Sequence, residues 1–375
     1  MNRLILIGNG FDLAHGLKTS YHDFILDYLK KSIQTALMIE RKYIDNKTFY
    51  DVYYNDELIS ISANSKPYKS FMDSFKKKDQ IAEIVLELRE NNINITYNGD
   101  FIKSLFNECI TKNWVDIEGI YYEELKKCLI QYNKSNGYDG RIDGAIRMLK
   151  HLNNQLNFLK EKLEKYLSNV IENNNPKINQ IVDILHDNLP KRYLAKNAKY
   201  PNHILDKQSE KVLFLNFNYT EISKKYKNHI LDDIINIHGE LHKNDNPIIF
   251  GYGDEVDKHY NEIEDLNENE FFKHIKSFDY FKTSNYSKLL RFIESEDFEV
   301  FVMGHSCGLS DRTMLNTIFV HQHCKSIKIF YNPNDAVNDY RNKTYEISRH
   351  FNNKASMREK IVPFPECSPM PQHNG

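Results

Sequence analysis

The chain has 375 residues, room for two domains or for one with a large insertion, and its 41% hydrophobic and 13% aromatic content is enough for a real core. Lysine plus arginine (50) nearly equals aspartate plus glutamate (52), so no global basic field advertises nucleic-acid binding. The five cysteines lack C-x-x-C spacing and argue against a zinc ribbon or a secreted disulfide framework; no spanning apolar stretch and no signal-peptide pattern is present, so a cytoplasmic protein with no membrane partner is expected.

Arg3-Leu4-Ile5-Leu6-Ile7 is an unalternated run of strand length that ends at Gly8-Asn9-Gly10. Such a run predicts a strand buried on both faces of a parallel sheet. A glycine turn after it lets backbone approach a phosphate or ribose. Gly8, Gly10 and Gly16 match neither G-x-G-x-x-G nor a P-loop, so the turn alone reads equally well as a tight strand-to-helix connection. Thr19 or Ser20 then caps a helix, and mostly polar, helix-patterned sequence runs from about residue 20 to residue 205. Its longest stretch carries Leu149, Leu152, Leu156, Leu159, Leu163 and Leu167 on one stripe, which predicts a helix packed along others. The Asn/Tyr-rich segment 46–67 and the Asn-Asn-Asn-Pro run 173–176 read as loops.

Strand character returns at 211–215, 234–237, 247–250, 299–303 and 326–331. Each run is short, apolar and closed at its carboxyl end by a small or polar cluster. Open α/β sheets bind ligands outside the carboxyl ends of their strands, so parallel strands would bring these clusters to one edge. The clusters hold Asn218, His238, Ser306, Asp311 and Asn332 beside the Gly8-Asn9-Gly10 turn. The expected fold is α/β: a Rossmann-like parallel core from 1–25 and 206–375, with a large, mostly helical insertion at 26–205.

Gly304-His305-Ser306-Cys307-Gly308 spells G-x-S-x-G, but no acid and histidine follow at a usable spacing, so a hydrolase triad is disfavoured. His321, His323 and Cys324 lack companions at metal-ligand spacing, and no metal is implied. Bland readings stand beside the functional ones. Asn218-Tyr219 fits an Asx-turn, His238 a structural histidine at a strand end, and His15 a helix residue packed on the sheet as well as a ligand contact.

The succession GNGFD…HGL, FNYT, IHGEL and GHSxGxSD resembles the AbiH family of bacteriophage abortive infection over essentially the whole chain. Trp114-Val115-Asp116-Ile117-Glu118 is similar to that family's W-x-D-x-E element. More distantly, the same order is similar to the SIR2-like, NAD-consuming fold. Gly8-Asn9-Gly10-Phe11-Asp12 stands at its glycine-alanine-glycine turn and Gly16-Leu17 at its glycine-isoleucine. Asn218-Tyr219 resembles its N-[YI]-D motif and His238-Gly239 its catalytic His-Gly, at a similar separation of 20 residues (238 − 218). Gly304 to Asp311 resembles its glycine-serine loop, and Tyr331-Asn332 the strand-end asparagine that touches adenosine. Two positions depart: Thr220 replaces the aspartate of N-[YI]-D, and Asp12 stands where sirtuins have serine. The sirtuin zinc-ribbon cysteines are missing, which disfavours deacetylation.

The resemblance implies NAD, or a related nucleotide, as substrate or ligand. Asn218 and His238 would be catalytic. Gly8, Asn9, Gly10, Phe11, Asp12, His15, Gly304, Ser306, Asp311 and Asn332 would line the nucleotide. Cleavage of the nicotinamide–ribose bond passes through an oxocarbenium-like state. An asparagine can orient the ribose hydroxyls or a water, and a histidine can take the proton; the glycine turn and Ser306 would supply donors to the phosphates. The expected function is an abortive-infection effector that hydrolyses NAD, with homo-oligomerisation left open. Two alternatives stay open as well. One is a metal-dependent nuclease or RNA-directed effector in which Asp12, Asp116 and Glu118 hold Mg²⁺. The other is a nucleotide-binding sensor without turnover.

Overall fold

A computed structural model describes residues 1–38, 42–44, 47–49, 52–63, 71, 74–112, 115–134, 139–171, 178–186, 211–227, 231–333 and 338–373. The chain divides into two compact units, Met1–Lys18 with Leu167–Leu266 and His274–Gly375, and Thr19–Tyr166 with Asn267–Lys273.

The first unit is built on six strands: β1 (Asn2–Ile7), β2 (Val212–Asn216), β3 (Leu231–Asn236), β4 (Phe298–Met303), β5 (Cys324–Tyr331) and β6 (Ser368–Pro369). Every neighbouring pair is parallel and the order is β6-β5-β4-β1-β2-β3. Viewed from the other edge this is the doubly wound order 3-2-1-4-5-6, which reverses between β1 and β4. The unalternated run in β1 is explained by period-two alternation between two buried faces. Leu4 and Leu6 join one apolar cluster, with Leu289, Ile293, Met314, Leu315, Ile318 and Ile347 from three covering helices. Ile5 and Ile7 join the other, with Phe11 and Ala14 from helix Asn9–Ala14 and Ile181 and Leu185 from helix Asn179–His186.

That last helix lies in the first unit, which takes in Leu167–Leu266. Besides its apolar residues, a charge inside the sheet holds it there. Arg3 is 0% exposed and lies directly across from Glu299, with Nε donating to Glu299 Oε1 at 2.7 Å. Its Nη1 donates to the carbonyls of Ile184 and Leu185 at 3.1 Å each, and the guanidinium lies 4.4 Å from the Phe301 ring centre. The last turn of helix Asn179–His186 thus receives the cation its orphan carbonyls favour.

Two expectations change. Ile248, Ile249 and Phe250 are buried, yet residues 247–250 join no sheet. The segment read as a loop at 46–67 holds strands: in the second unit Val52–Asn55, Ile59–Ala63 and Asn94–Tyr97 form an antiparallel sheet. Asp56 closes the connection between the first two, with Oδ1 accepting from Leu58 N and Ile59 N. Ile59 and Ile61 are buried, which overrides the turn-like composition. The Asn-Asn-Asn-Pro run at 173–176 lies outside the described residues. The second unit's helices include Tyr21–Met38, where Ser20 Oγ accepts from Asp23 N at 3.0 Å, and helix Asp139–Ile171 as far as Tyr166; the leucine stripe of that helix is buried. Among the described residues no helix is long and apolar enough to cross a membrane.

Arg3→Leu should cost about 3–5 kcal/mol, because it leaves the Glu299 carboxylate buried without its cation. Urea unfolding of this variant and of Arg3→Leu/Glu299→Leu checks it: the double variant should lose less than the sum of the two single ones.

Candidate active site

The carboxyl edge of the sheet carries two polar networks, both within the first unit. The first begins where the strand order reverses. The turn after β1 and the turn after β4 press backbone on backbone: a Cβ on Gly8 would lie 2.5 Å from His305 Cα, and one on Gly304, at φ +76°, would lie 2.1 Å from Phe11 N. Gly10 N donates to Gly304 O at 2.9 Å, Phe11 N to Gly8 O at 2.8 Å and Gly8 N to Met303 O at 3.3 Å. The glycines that suggested a phosphate cradle are therefore required for close approach, and three of the turn's donors are spent inside the fold.

Asp12 follows on helix Asn9–Ala14 and is 1% exposed. Asn218 Nδ2 donates to Asp12 Oδ1 at 2.8 Å and to Gly8 O at 3.0 Å, and Thr220 Oγ1 donates to Asp12 Oδ2 at 2.7 Å. Asp12 and Thr220, far apart in the chain, thus meet directly. The Asx-turn expected at Asn218 is made by its neighbour, since Asn216 Oδ1 accepts from Asn218 N at 3.0 Å. Burial pushes the Asp12 carboxyl up to about 7, against the lowering effect of the Thr220 and Asn218 hydrogen bonds.

The second network surrounds Asp311. Lys276, 0% exposed, donates from Nζ to Asp311 Oδ1 at 2.8 Å, and His238 Nε2 lies 3.1 Å from the same oxygen. Burial alone would raise the Asp311 carboxyl, but the Lys276 ammonium and then His238 outweigh it and hold it well below the usual range. His238 is lowered to about 4, first by burial and then by Lys276, so its ring is neutral at pH 7 and its contact with Asp311 is a hydrogen bond from Nε2–H. Among the described residues no hydrogen-bond partner meets His238 Nδ1, which in this tautomer carries the lone pair. His305 faces Asp311 Oδ2 at 3.6 Å through Nε2, because its Nδ1 accepts from Cys307 N at 2.9 Å. Tyr280 stacks on His238 at 11° with its hydroxyl 3.4 Å from Nε2, and Phe217 packs edge-on against His238.

Residues 249–253, which lie in none of the named strands, tie these pieces together. Ile249 N donates to His238 O at 2.8 Å, Tyr219 Oη to Ile249 O at 3.1 Å, Lys276 N to Tyr252 O at 2.9 Å and Thr313 N to Gly253 O at 3.1 Å. Gly239, at φ +86°, allows this: a Cβ there would lie 2.2 Å from Pro247 O.

Asn218, His238, Asp311, Gly8, Gly10, Asp12 and Gly304 are therefore brought into these two networks. Phe11 and His15 face inward, both 0% exposed. His15 Nδ1 donates to Phe11 O at 2.6 Å and its Nε2 accepts from Tyr226 Oη at 2.6 Å; that hydroxyl in turn accepts from Ile178 N at 3.0 Å. Both ring nitrogens of His15 are used in packing. Asn9 and Ser306 are exposed on the edge, and Asn332 is exposed after β5, its N donating to Asp339 Oδ1 at 2.6 Å. Asp116 caps helix Ile117–Asn133 by accepting from Gly119 N at 2.9 Å, and Glu118 is buried in that helix's first turn. Trp114 lies outside the described residues. Lys276, Tyr280 and His305 escaped the sequence reading. His305 sits inside the GHS string after a strand and carried the same signal as its neighbours, whereas Lys276 and Tyr280 come from a segment with neither strand nor motif.

The family model described as Bacteriophage abortive infection AbiH matches residues 4–333. No curated protein and no solved structure matches the chain.

The raised Asp12 carboxyl sets a pH dependence. Its contribution to stability is complete below the unfolded value near 3.8 and is lost as pH rises through about 7. Asp12→Asn is neutral throughout. Between these limits the parent should lose stability relative to the variant by about 1.4 kcal/mol per pH unit, read as the difference in urea unfolding free energy.

Proposed function

We propose, from the premise that this chain belongs to the AbiH family of bacteriophage abortive infection, that its sheet edge binds NAD and hydrolyses the nicotinamide–ribose bond during infection. The observation that carries this reading is the neutral His238 held by Asp311 through Nε2–H, with Nδ1 left as the proton acceptor, at the carboxyl edge of a doubly wound sheet. The order of the motifs, similar to that of SIR2-like proteins, supports the same reading.

In this mechanism a water oxygen attacks ribose C1′ as the C1′–N bond breaks. The bond's electron pair leaves with nicotinamide, and the water proton passes to His238 Nδ1. Asp311 keeps its own charge and stabilises the imidazolium, while Lys276 keeps Asp311 ionised. Asn218 meets the ribose or the water. With Gly8, Gly10 and Phe11 N–H groups already spent, the exposed Ser306 hydroxyl is a group of the original set that fits the phosphates.

Incubating NAD with protein purified before and after phage challenge, and following nicotinamide, tests the proposal. Release by the parent should fall about 10²–10⁴-fold in His238→Ala. Binding of NAD without release would instead support a nucleotide sensor and overturn the hydrolysis, as would a His238→Ala variant equal to the parent.

A further inference from the structure

Asn218 is a fork with two faces, and the hydrogen bonds decide which face is left for a ligand. Its side chain has one amide nitrogen with two hydrogens and one carbonyl oxygen with two lone pairs. The Gly8 carbonyl can only accept, so the group facing it at 3.0 Å is the amide nitrogen. The second amide hydrogen goes to Asp12 Oδ1 at 2.8 Å. Both hydrogens are thereby used inside the fold, and the carbonyl Oδ1 is the remaining polar atom of Asn218. Asp12 is itself held: its second oxygen takes the Thr220 hydroxyl at 2.7 Å, and it sits 1% exposed on the short helix behind the glycine turn.

We propose that Asp12 is a positioning residue that fixes the amide orientation of Asn218, so that Asn218 presents its side-chain carbonyl and recognises a donor group, a hydroxyl of the nicotinamide ribose. This deepens the NAD reading above and rests on it for the identity of the ligand, while the orientation itself rests on the hydrogen bonds alone. A phosphate, which only accepts, would meet the wrong face. The rest of the local network agrees with a fixed orientation: Asn218 N is taken by Asn216 Oδ1 at 3.0 Å, and Asn216 Nδ2 is held by Asn236 Oδ1 at 2.9 Å. The backbone and side chain of Asn218 are thus anchored from three directions, by the turn after β1, by β2 and by Asp12.

Two measurements test the inference, one of them independent of any ligand. In ¹⁵N-labelled protein the Asn218 side-chain amide pair is identified by its disappearance in Asn218→Asp, and its hydrogen exchange is followed. Both hydrogens should be protected in the parent, protection should fall about tenfold or more in Asp12→Ala, and it should return in Asp12→Asn, whose side-chain carbonyl still accepts. Unchanged protection in Asp12→Ala overturns the proposal.

The second measurement compares NAD with two analogues that each lack one hydroxyl of the nicotinamide ribose. In the parent, one analogue should lose roughly 10–100-fold in kcat/KM. In Asp12→Ala that ratio should shrink to about twofold, and Asp12→Asn should restore it. A merely structural role for Asp12 would lower both substrates equally and leave the ratio at its parental value, which also overturns the proposal. If the parent binds NAD without cleaving it, the same ratio is read from dissociation constants. If the parent neither binds nor cleaves NAD, the proposed function and the ribose assignment fall, and the exchange measurement still decides the orientation of Asn218.

Discussion

Three glycines where the strand order reverses set the position of everything at the carboxyl edge. In a doubly wound sheet the turns after β1 and β4 leave in opposite directions and commonly open a crevice between them. Here they close on each other, with Gly10 N bonded to Gly304 O at 2.9 Å and no room for a Cβ on Gly8, Gly10 or Gly304. That contact aims the Gly8 carbonyl at Asn218 and launches the loop that carries His305 and Asp311. Replacing any of the three would set a Cβ against backbone, which cannot give way as a flexible side chain can.

Two buried ion pairs stand at opposite ends of the same strands. Arg3 and Glu299 face each other at the amino ends of β1 and β4, and Lys276 and Asp311 meet beyond the carboxyl ends. Desolvation makes such pairs poor sources of net stability, although losing one partner alone is costly. Their value here is orientation. The first binds the end of helix Asn179–His186 to the sheet, through carbonyls no other described cation reaches. The second keeps a carboxylate ionised in a buried place, and that carboxylate fixes which nitrogen of His238 bears its proton. The Asp12 carboxyl, 1% exposed and with no cation among its hydrogen-bond partners, is pushed the other way, up to about 7. Two acids on one edge are thus set far apart in acidity by their neighbours.

Much of the fold could be read in advance because the sheet is buried on both faces. Asn2–Ile7, Val212–Asn216 and Phe298–Met303 are buried along their whole length and announce themselves as apolar runs, Leu231–Asn236 and Cys324–Tyr331 show shorter apolar stretches, and the polar residues beyond these strands include Asn218, His238 and Asp311. The sixth, Ser368–Pro369, is too short to carry a pattern. The run at 247–250 carried the pattern and still joined no sheet; Ile249 bonds instead to His238 O and to the Tyr219 hydroxyl. Arg3 was counted into an apolar strand; a charge inside a sheet becomes intelligible only once Glu299 is seen across from it. Lys276 and Tyr280 could not be found at all, because their meaning lies in what they touch.

The amino-acid sequence by itself determined the α/β class, the parallel strands, the presence of polar residues at their carboxyl ends and the likeness to AbiH. These are local properties: apolar runs, glycine turns and motif order need no knowledge of distant residues. Only the tertiary structure decided that Gly8, Gly10 and Gly304 serve each other's backbone, that His15 is locked between Phe11 and Tyr226, and that Asp12 and Thr220 are partners. Protonation state, tautomer and amide orientation followed from the same source. Each depends on burial and on a partner up to some two hundred residues away in the chain, and desolvation and hydrogen bonding are properties of the folded neighbourhood.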